Sequence, residues 1–84
     1  MQAAIFRGAF AIQAEQIPDA AILEPTDAVV RITHACICGT DLRPYRGQRL
    51  YQPGWQIGHE WMGLVTDVGS QVRPIKRGDR VIAS

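Results

Sequence analysis

Hydrophobic and polar residues alternate over several short stretches of the chain, and glycine and proline separate these stretches. The most regular stretch, residues 28–37, is rich in β-branched side chains, which favour a strand in which successive residues point to opposite faces. The residues predicted to share one face of this strand are Val30, Ile32, His34 and Cys36. We interpret His34 and Cys36 as core or sheet-edge residues.

Four more stretches show strand patterns: residues 3–6, 9–16, 60–68 and 80–83. The first two are expected to pair as a hairpin with a break at Arg7 and Gly8. A short helical turn is expected from Thr40 to Leu42, because Pro44 disfavours its continuation. Several short strands with little helix predict a mainly β fold, a barrel or a sandwich.

Size and charge limit the possible functions. At 84 residues the chain is one small domain or a piece of a larger one. Nine basic residues face eight acidic ones, so no overall charge favours nucleic acid or an anionic membrane. No apolar run reaches the roughly 20 residues of a spanning helix, and the start does not fit a signal peptide. We therefore expect a soluble, cytoplasmic protein.

Two residues offer metal chemistry. Cys38 and His59 each lie beside a glycine where a predicted strand meets a loop, and a thiolate with an imidazole suits zinc better than calcium or magnesium. A bridge between Cys38 and Cys36 would strain the backbone, so reduced thiols are expected. A structural zinc needs four ligands, usually in close pairs, which this chain lacks. The sequence thus predicts a catalytic zinc with Glu60 as a further candidate ligand, and one more ligand from elsewhere.

The motif Cys38-Gly39-Thr40-Asp41, followed by Gly58-His59-Glu60 and then Gly63, Gly69 and Val72, resembles the zinc-containing alcohol dehydrogenases of the medium-chain dehydrogenase/reductase superfamily. The downstream run Gly78-Asp79-Arg80-Val81 is similar to a turn of the same family. The resemblance implies a GroES-like β barrel in which residues 1–84 form the N-terminal portion of the catalytic domain. It also implies that the remaining cysteine ligand, the structural zinc lobe and the Rossmann domain lie beyond the last residue.

Specific roles follow from the resemblance. Cys38 and His59 are implied as zinc ligands, and Glu60 as the carboxylate beside the metal that binds it directly in some states. Asp41 is implied to orient the ligand histidine, and Thr40 to contact the substrate oxygen and begin a proton relay.

The implied activity is NAD- or NADP-dependent oxidation of a primary or secondary alcohol or polyol to an aldehyde or ketone. The implied partners are a small-molecule alcohol and the remainder of the dehydrogenase subunit, in a homo-oligomer, with neither nucleic acid nor membrane. The chain has no G-x-G-x-x-G dinucleotide fingerprint, so the isolated 84 residues are predicted to be inactive.

Alternatives remain at single positions. Asp41 and Thr40 each have a second interpretation as helix caps only, and Glu60 as a residue near the metal without ligation. Many family members carry a histidine that continues the relay where this chain has Arg43, and an arginine stays protonated. Large aromatic residues in a small β domain are more often packing than pocket. The aromatic residues concerned are Tyr45, Trp55 and Trp61.

Two other functions remain open as well. One is a non-catalytic GroES-like binding or assembly module, similar to the chaperonin-10-like proteins. The other is a zinc-free quinone reductase of the same superfamily, which the presence of Cys38 and His59 disfavours.

Overall fold

The computed structural model describes all 84 residues, and strands make up most of its regular structure. The elements are β1 Gln2–Gly8, β2 Ala11–Gln16, β3 Ala28–Cys36, α1 Gly39–Tyr45, β4 Glu60–Val68 and β5 Arg80–Ala83. Strands cover 43% of the chain and helix 8%, which confirms the mainly β prediction. The strands form two open sheets, β1-β2 and β3-β4-β5, and they do not close into a barrel within these residues.

The chain divides into two compact units. The first unit contains Met1–Asp19 and Ile37–His59, and the second contains Ala20–Cys36 and Glu60–Ser84. The first therefore holds the β1-β2 hairpin and α1, whereas the second holds the three-stranded sheet.

The first unit is built on the antiparallel β1-β2 hairpin, in which Gln2 lies opposite Gln16. Its turn is at residues 9–10 rather than at the expected Arg7-Gly8 break, and Phe10 has a positive φ of 62°. The loop after α1 returns to β1, where the N–H of Phe6 donates to the carbonyl of Trp55 at 2.9 Å. Phe6 is buried, so the unit has its core beside this strand.

Pairs of aromatic side chains also pack together in the first unit. The ring of Tyr51 meets the rings of Phe6 and Trp55 edge-on, with centroid distances of 5.3 and 4.9 Å. Tyr45 packs in the same way against Phe10 at 5.3 Å. Edge-to-face pairs are a favoured arrangement of aromatic side chains, so Tyr45 and Trp55 take part in packing as expected.

In the second unit β4 is the central strand and pairs antiparallel with β3 and β5. The predicted alternation along β3 is wrong in detail, because register shifts occur between Val29 and Val30 and between Ile32 and His34. A bulge places an extra residue in one strand, so Val30 and Ile32 do not continue one regular face with His34. Val65 on β4 is the most deeply buried side chain.

Helix α1 begins after Cys38, its N-cap residue, and runs through Pro44 to Tyr45. The prediction that Pro44 limits the helix was wrong. Proline lacks one backbone donor, but the next turn still closes because the N–H of Arg46 donates to the carbonyl of Leu42 at 2.9 Å. None of the helical structure is long and apolar enough to span a lipid bilayer.

Candidate metal centre

Cys38 and His59 lie together in the first unit, although 20 residues separate them in the chain. Cys38 is the N-cap of α1 with an extended backbone, and His59 follows Gly58, whose φ is 108°. A side chain is strained at that φ, so glycine suits the turn that precedes the histidine. The sulfur of Cys38 and a ring nitrogen of His59 lie within 4.8 Å of each other. The structure thus brings the two residues together, and their role as ligands stays a prediction.

Asp41 connects both residues. Its Oδ1 lies 3.1 Å from Nδ1 of His59, and its Oδ2 accepts the backbone N–H of Cys38 at 3.0 Å. A side chain that accepts a hydrogen bond from a backbone N–H at the start of a helix caps that helix. A carboxylate that accepts a hydrogen bond from one ring N–H of an imidazole fixes the tautomer of the ring. Asp41 therefore caps the helix and contacts the His59 ring at the same time, and this contact leaves Nε2 of His59 free of Asp41. Its role in orienting a metal ligand stays a prediction.

Thr40 lies beside both candidate ligand atoms. Its hydroxyl donates to the sulfur of Cys38 at 3.3 Å and is 3.5 Å from Nε2 of His59. Thr40 is exposed, so a proton on its hydroxyl has a route to solvent. This placement is compatible with the proton-relay role that the resemblance implies, which stays a prediction.

Glu60, the first residue of β4, belongs to the second unit. Its Oε2 accepts a hydrogen bond from the thiol of Cys36 at 3.2 Å, and the two residues are directly opposite each other on β4 and β3. Sequence reasoning missed this contact. The signal lay in the pairing register, because residues opposite each other on antiparallel strands meet through their side chains. Direct metal ligation by Glu60 stays a prediction.

The pKa of His59 is raised above its ordinary value, chiefly by a hydrogen bond to Cys38. Partial desolvation acts in the opposite direction, and the charge of Asp41 raises the pKa further. A site that stabilises the imidazolium is electron-rich, and a dication at the same position gains from the same charges.

The residues present fit a zinc ion. A sulfur at about 2.3 Å and an imidazole nitrogen at about 2.0 Å from one tetrahedral zinc are roughly 3.5 Å apart. The ligand atoms of Cys38 and His59 lie within 4.8 Å of each other, which is compatible with that separation. Two ligands leave positions for a third protein group and for substrate, as in catalytic zinc sites.

Known proteins similar to this chain include zinc-type alcohol dehydrogenases and solved structures with the same fold. Residues 24–84 match the family model described as the alcohol dehydrogenase GroES-like domain. The zinc-type alcohol dehydrogenase B of Aspergillus flavus is 36% identical over 84 residues, which is 100% of this chain and 20% of that protein. An alcohol dehydrogenase of Cupriavidus necator is 40% identical over 85 residues, covering 99% of this chain and 22% of that protein.

Solved structures give the same result. The alcohol dehydrogenase of Thermus sp. ATN1 superposes with a TM-score of 0.91 at 34% identity, covering 98% of this chain and 24% of that one. The zinc-dependent alcohol dehydrogenase 2 from Streptococcus pneumonia superposes with a TM-score of 0.88 at 36% identity. The chain therefore spans about a fifth to a quarter of the relatives that it matches.

Proposed function

The chain belongs to the family of alcohol dehydrogenase GroES-like domains, and from this premise we propose that it is the zinc-bearing portion of the catalytic domain of an NAD- or NADP-dependent alcohol or polyol dehydrogenase. The proposed reaction oxidises a primary or secondary alcohol to an aldehyde or ketone. Residues 1–84 supply part of the active site, and the remainder of a longer subunit, in a homo-oligomer, supplies the dinucleotide site.

The contact of Asp41 with both ligand-bearing segments carries the proposal. One carboxylate oxygen fixes the backbone at Cys38 and the other holds Nδ1 of His59. A metal-bound histidine commonly donates its other ring N–H to a carboxylate, which orients the ring and raises its basicity. A cysteine that served only as a small buried hydrophobe would not need an imidazole oriented toward its sulfur.

The chemistry divides among the residues of the chain. Cys38 and His59 would hold a zinc ion, which would supply the Lewis-acid chemistry that polarises an alcohol oxygen and lowers its pKa. The Thr40 hydroxyl, 3.3 Å from the sulfur of Cys38, is proposed to accept the alcohol proton and pass it outward. Asp41 holds the imidazole in one tautomer, and Glu60 is proposed as the carboxylate that reaches the metal in some states.

The nicotinamide cofactor accepts the hydride in the proposed reaction, and the protein groups that bind it are expected outside these residues. No G-x-G-x-x-G is present in the chain. Cofactor-dependent alcohol oxidation by the purified 84-residue protein would contradict this division of roles.

Zinc stoichiometry tests the proposal, and the chain provides a same-type control for each ligand. It has two cysteines and two histidines, of which only Cys38 and His59 are proposed ligands. Elemental analysis after dialysis is expected to give one zinc per chain for the wild type and for the Cys36→Ala and His34→Ala controls. Cys38→Ala and His59→Ala are expected to lose it.

Two results would count against zinc chemistry. A wild-type protein that holds no zinc at micromolar free metal would favour a non-catalytic binding module. Equal zinc retention by Cys38→Ala and Cys36→Ala would show that the ion binds elsewhere. Circular dichroism of each variant separates loss of ligand from loss of fold.

A further inference from the structure

Every carboxylate side chain of the first unit is already engaged. Both carboxylate oxygens of Glu15 accept hydrogen bonds from the guanidinium of Arg7. The carboxylate of Asp19 forms an ion pair with the N-terminal ammonium group. Asp41 uses both oxygens at the candidate metal centre. The unit contains no other acidic side chain, so it has none left to neutralise further cations.

Three arginines of the same unit have no acidic partner. Arg43, Arg46 and Arg49 are exposed, and no carboxylate lies within 4.0 Å of their guanidinium groups. The segment 37–59 contains these three arginines and one acidic residue, Asp41, so its formal charge without His59 is +3 − 1 = +2. A folded unit that leaves its cations uncompensated on one segment attracts anions there.

This positive segment starts at the candidate metal centre. Arg43 follows Thr40 by three positions on α1, and side chains at this spacing are neighbours on a helix surface, about 5 to 6 Å apart at Cβ. Arg46, the C-cap residue, lies three positions further on. The hydroxyl of Thr40 is within 3.5 Å of both candidate ligand atoms. Of the three arginines, Arg43 is the one nearest to Thr40 along the chain, and it stands where the resemblance implies a relay histidine in many family members.

We propose that Arg43, with Arg46 and Arg49 beyond it, binds a phosphate monoester dianion next to the reacting alcohol. The planar guanidinium donates two parallel N–H groups to a phosphate, and it cannot act as a base, which suits anion binding and not proton transfer. This inference rests on the proposed function and narrows its ligand class. The monoester is part of a phosphorylated polyol substrate, in which the phosphate and the reacting alcohol are only a few carbon atoms apart.

The test measures binding to the zinc-loaded chain by NMR with one matched pair of probes. Sorbitol 6-phosphate is compared with sorbitol, so that the two probes differ by one phosphate monoester. The phosphorylated probe is expected to shift the amide signals of residues 43–49 and to bind more tightly at low salt than at high salt.

Variants assign the effect to the arginines. Arg43→Gln is expected to weaken binding of the phosphorylated probe by about fivefold, as for the loss of one exposed charge contact. The Arg43→Gln/Arg46→Gln double variant is expected to weaken this binding further. The control is Arg31→Gln on β3, which removes an exposed arginine of the second unit that also lacks an ion pair. None of these three side chains forms a hydrogen bond or an ion pair in the structure.

Two outcomes overturn the inference. One is equal binding of sorbitol 6-phosphate and sorbitol, and the other is a preference for phosphate that persists unchanged in the double variant. The zinc content of every sample separates this result from the proposed function. Normal zinc binding without a phosphate preference refutes only the anion site, whereas zinc that does not depend on Cys38 refutes the dehydrogenase assignment.

Discussion

The carboxylate of Asp41 lies 3.1 Å from Nδ1 of His59, across 18 positions of sequence. Because its other oxygen accepts the N–H of Cys38 at 3.0 Å, a single side chain fixes the backbone of one candidate ligand and the ring of the other. The same carboxylate thus serves the start of α1 and the metal centre. Helix formation and preparation of the site are therefore physically coupled in this chain.

Replacing Asp41 by asparagine separates these two roles. Asparagine keeps an acceptor for the N–H of Cys38 but loses the negative charge beside the imidazole. Loss of such a partner typically weakens metal binding 10- to 100-fold, so we expect about that decrease in zinc affinity. Competition with a chromophoric chelator measures it. Asp67→Asn, which removes an exposed acid of β4, serves as the control, and an Asp41→Asn affinity within twofold of wild type would contradict the coupling.

The hydroxyl group of Thr40, rather than the size of its side chain, is expected to be needed for catalysis. In the complete enzyme that the proposed function requires, Thr40→Val should lower kcat for alcohol oxidation by about 100-fold or more, because a positioned proton-transfer group contributes that much. Thr40→Ser keeps the hydroxyl and should recover most of the rate. Zinc content is expected to be unchanged in both variants. If the valine variant kept more than half of the wild-type kcat, Thr40 would have no role in proton transfer and would be only a residue at the start of the helix.

Much of the fold was predictable because short strands with β-branched residues are bounded here by glycine and proline. The predicted strands 60–68 and 80–83 coincide with β4 and β5. The bulge at Ile32 and His34 was not predictable, because alternation along one strand carries no information about the register of its partner. The extension of α1 through Pro44 was missed for a different, local reason, because proline removes only its own N–H and the N–H of Arg46 still donates to the carbonyl of Leu42.

For the site, two short motifs were sufficient to bring Cys38 and His59 together, but they could not show how Asp41 divides its oxygens. The hydrogen bond between Cys36 and Glu60 depends on strand pairing, which appears only in three dimensions. Local sequence thus predicted the candidate ligand residues, and non-local contacts decide how each side chain is held.

Gly63, one of the glycines of the second motif, is required by close packing. A Cβ at this position would lie 2.3 Å from the carbonyl oxygen of Arg31 and 2.7 Å from Cγ1 of Val30. The backbone oxygen cannot move without disturbing the β3-β4 pairing, so Gly63→Ala should destabilise the fold by about 1 to 3 kcal/mol. Gly39→Ala is the matched control, because nothing lies within 4 Å of its Cβ position. Urea unfolding measures the stability of both variants, and equal unfolding midpoints for Gly63→Ala and Gly39→Ala would refute the packing explanation.

The raised pKa of His59 makes zinc binding and stability depend on pH in opposite directions. A group whose pKa is higher in the folded protein stabilises the fold below its unfolded pKa, and this contribution is lost as pH rises through the folded pKa. In zinc-free protein the contribution of His59 should therefore be present below its ordinary pKa of 6.5 and disappear above the raised value. Zinc requires the neutral imidazole, so zinc affinity should instead increase with pH through the same window.

Measuring the free energy of unfolding with and without zinc, between about pH 5 and 8, tests both pH dependences in one experiment. His59→Gln is the control, because it keeps a polar side chain but removes the titration, and its zinc-free stability should lack the His59 contribution to the pH dependence. NMR titration of the His59 ring gives the pKa directly. A value at or below 6.5 in zinc-free protein would mean that Cys38 and Asp41 do not stabilise the imidazolium. The electrostatic argument for a dication at this position would then fail, even though the two ligand atoms lie close together.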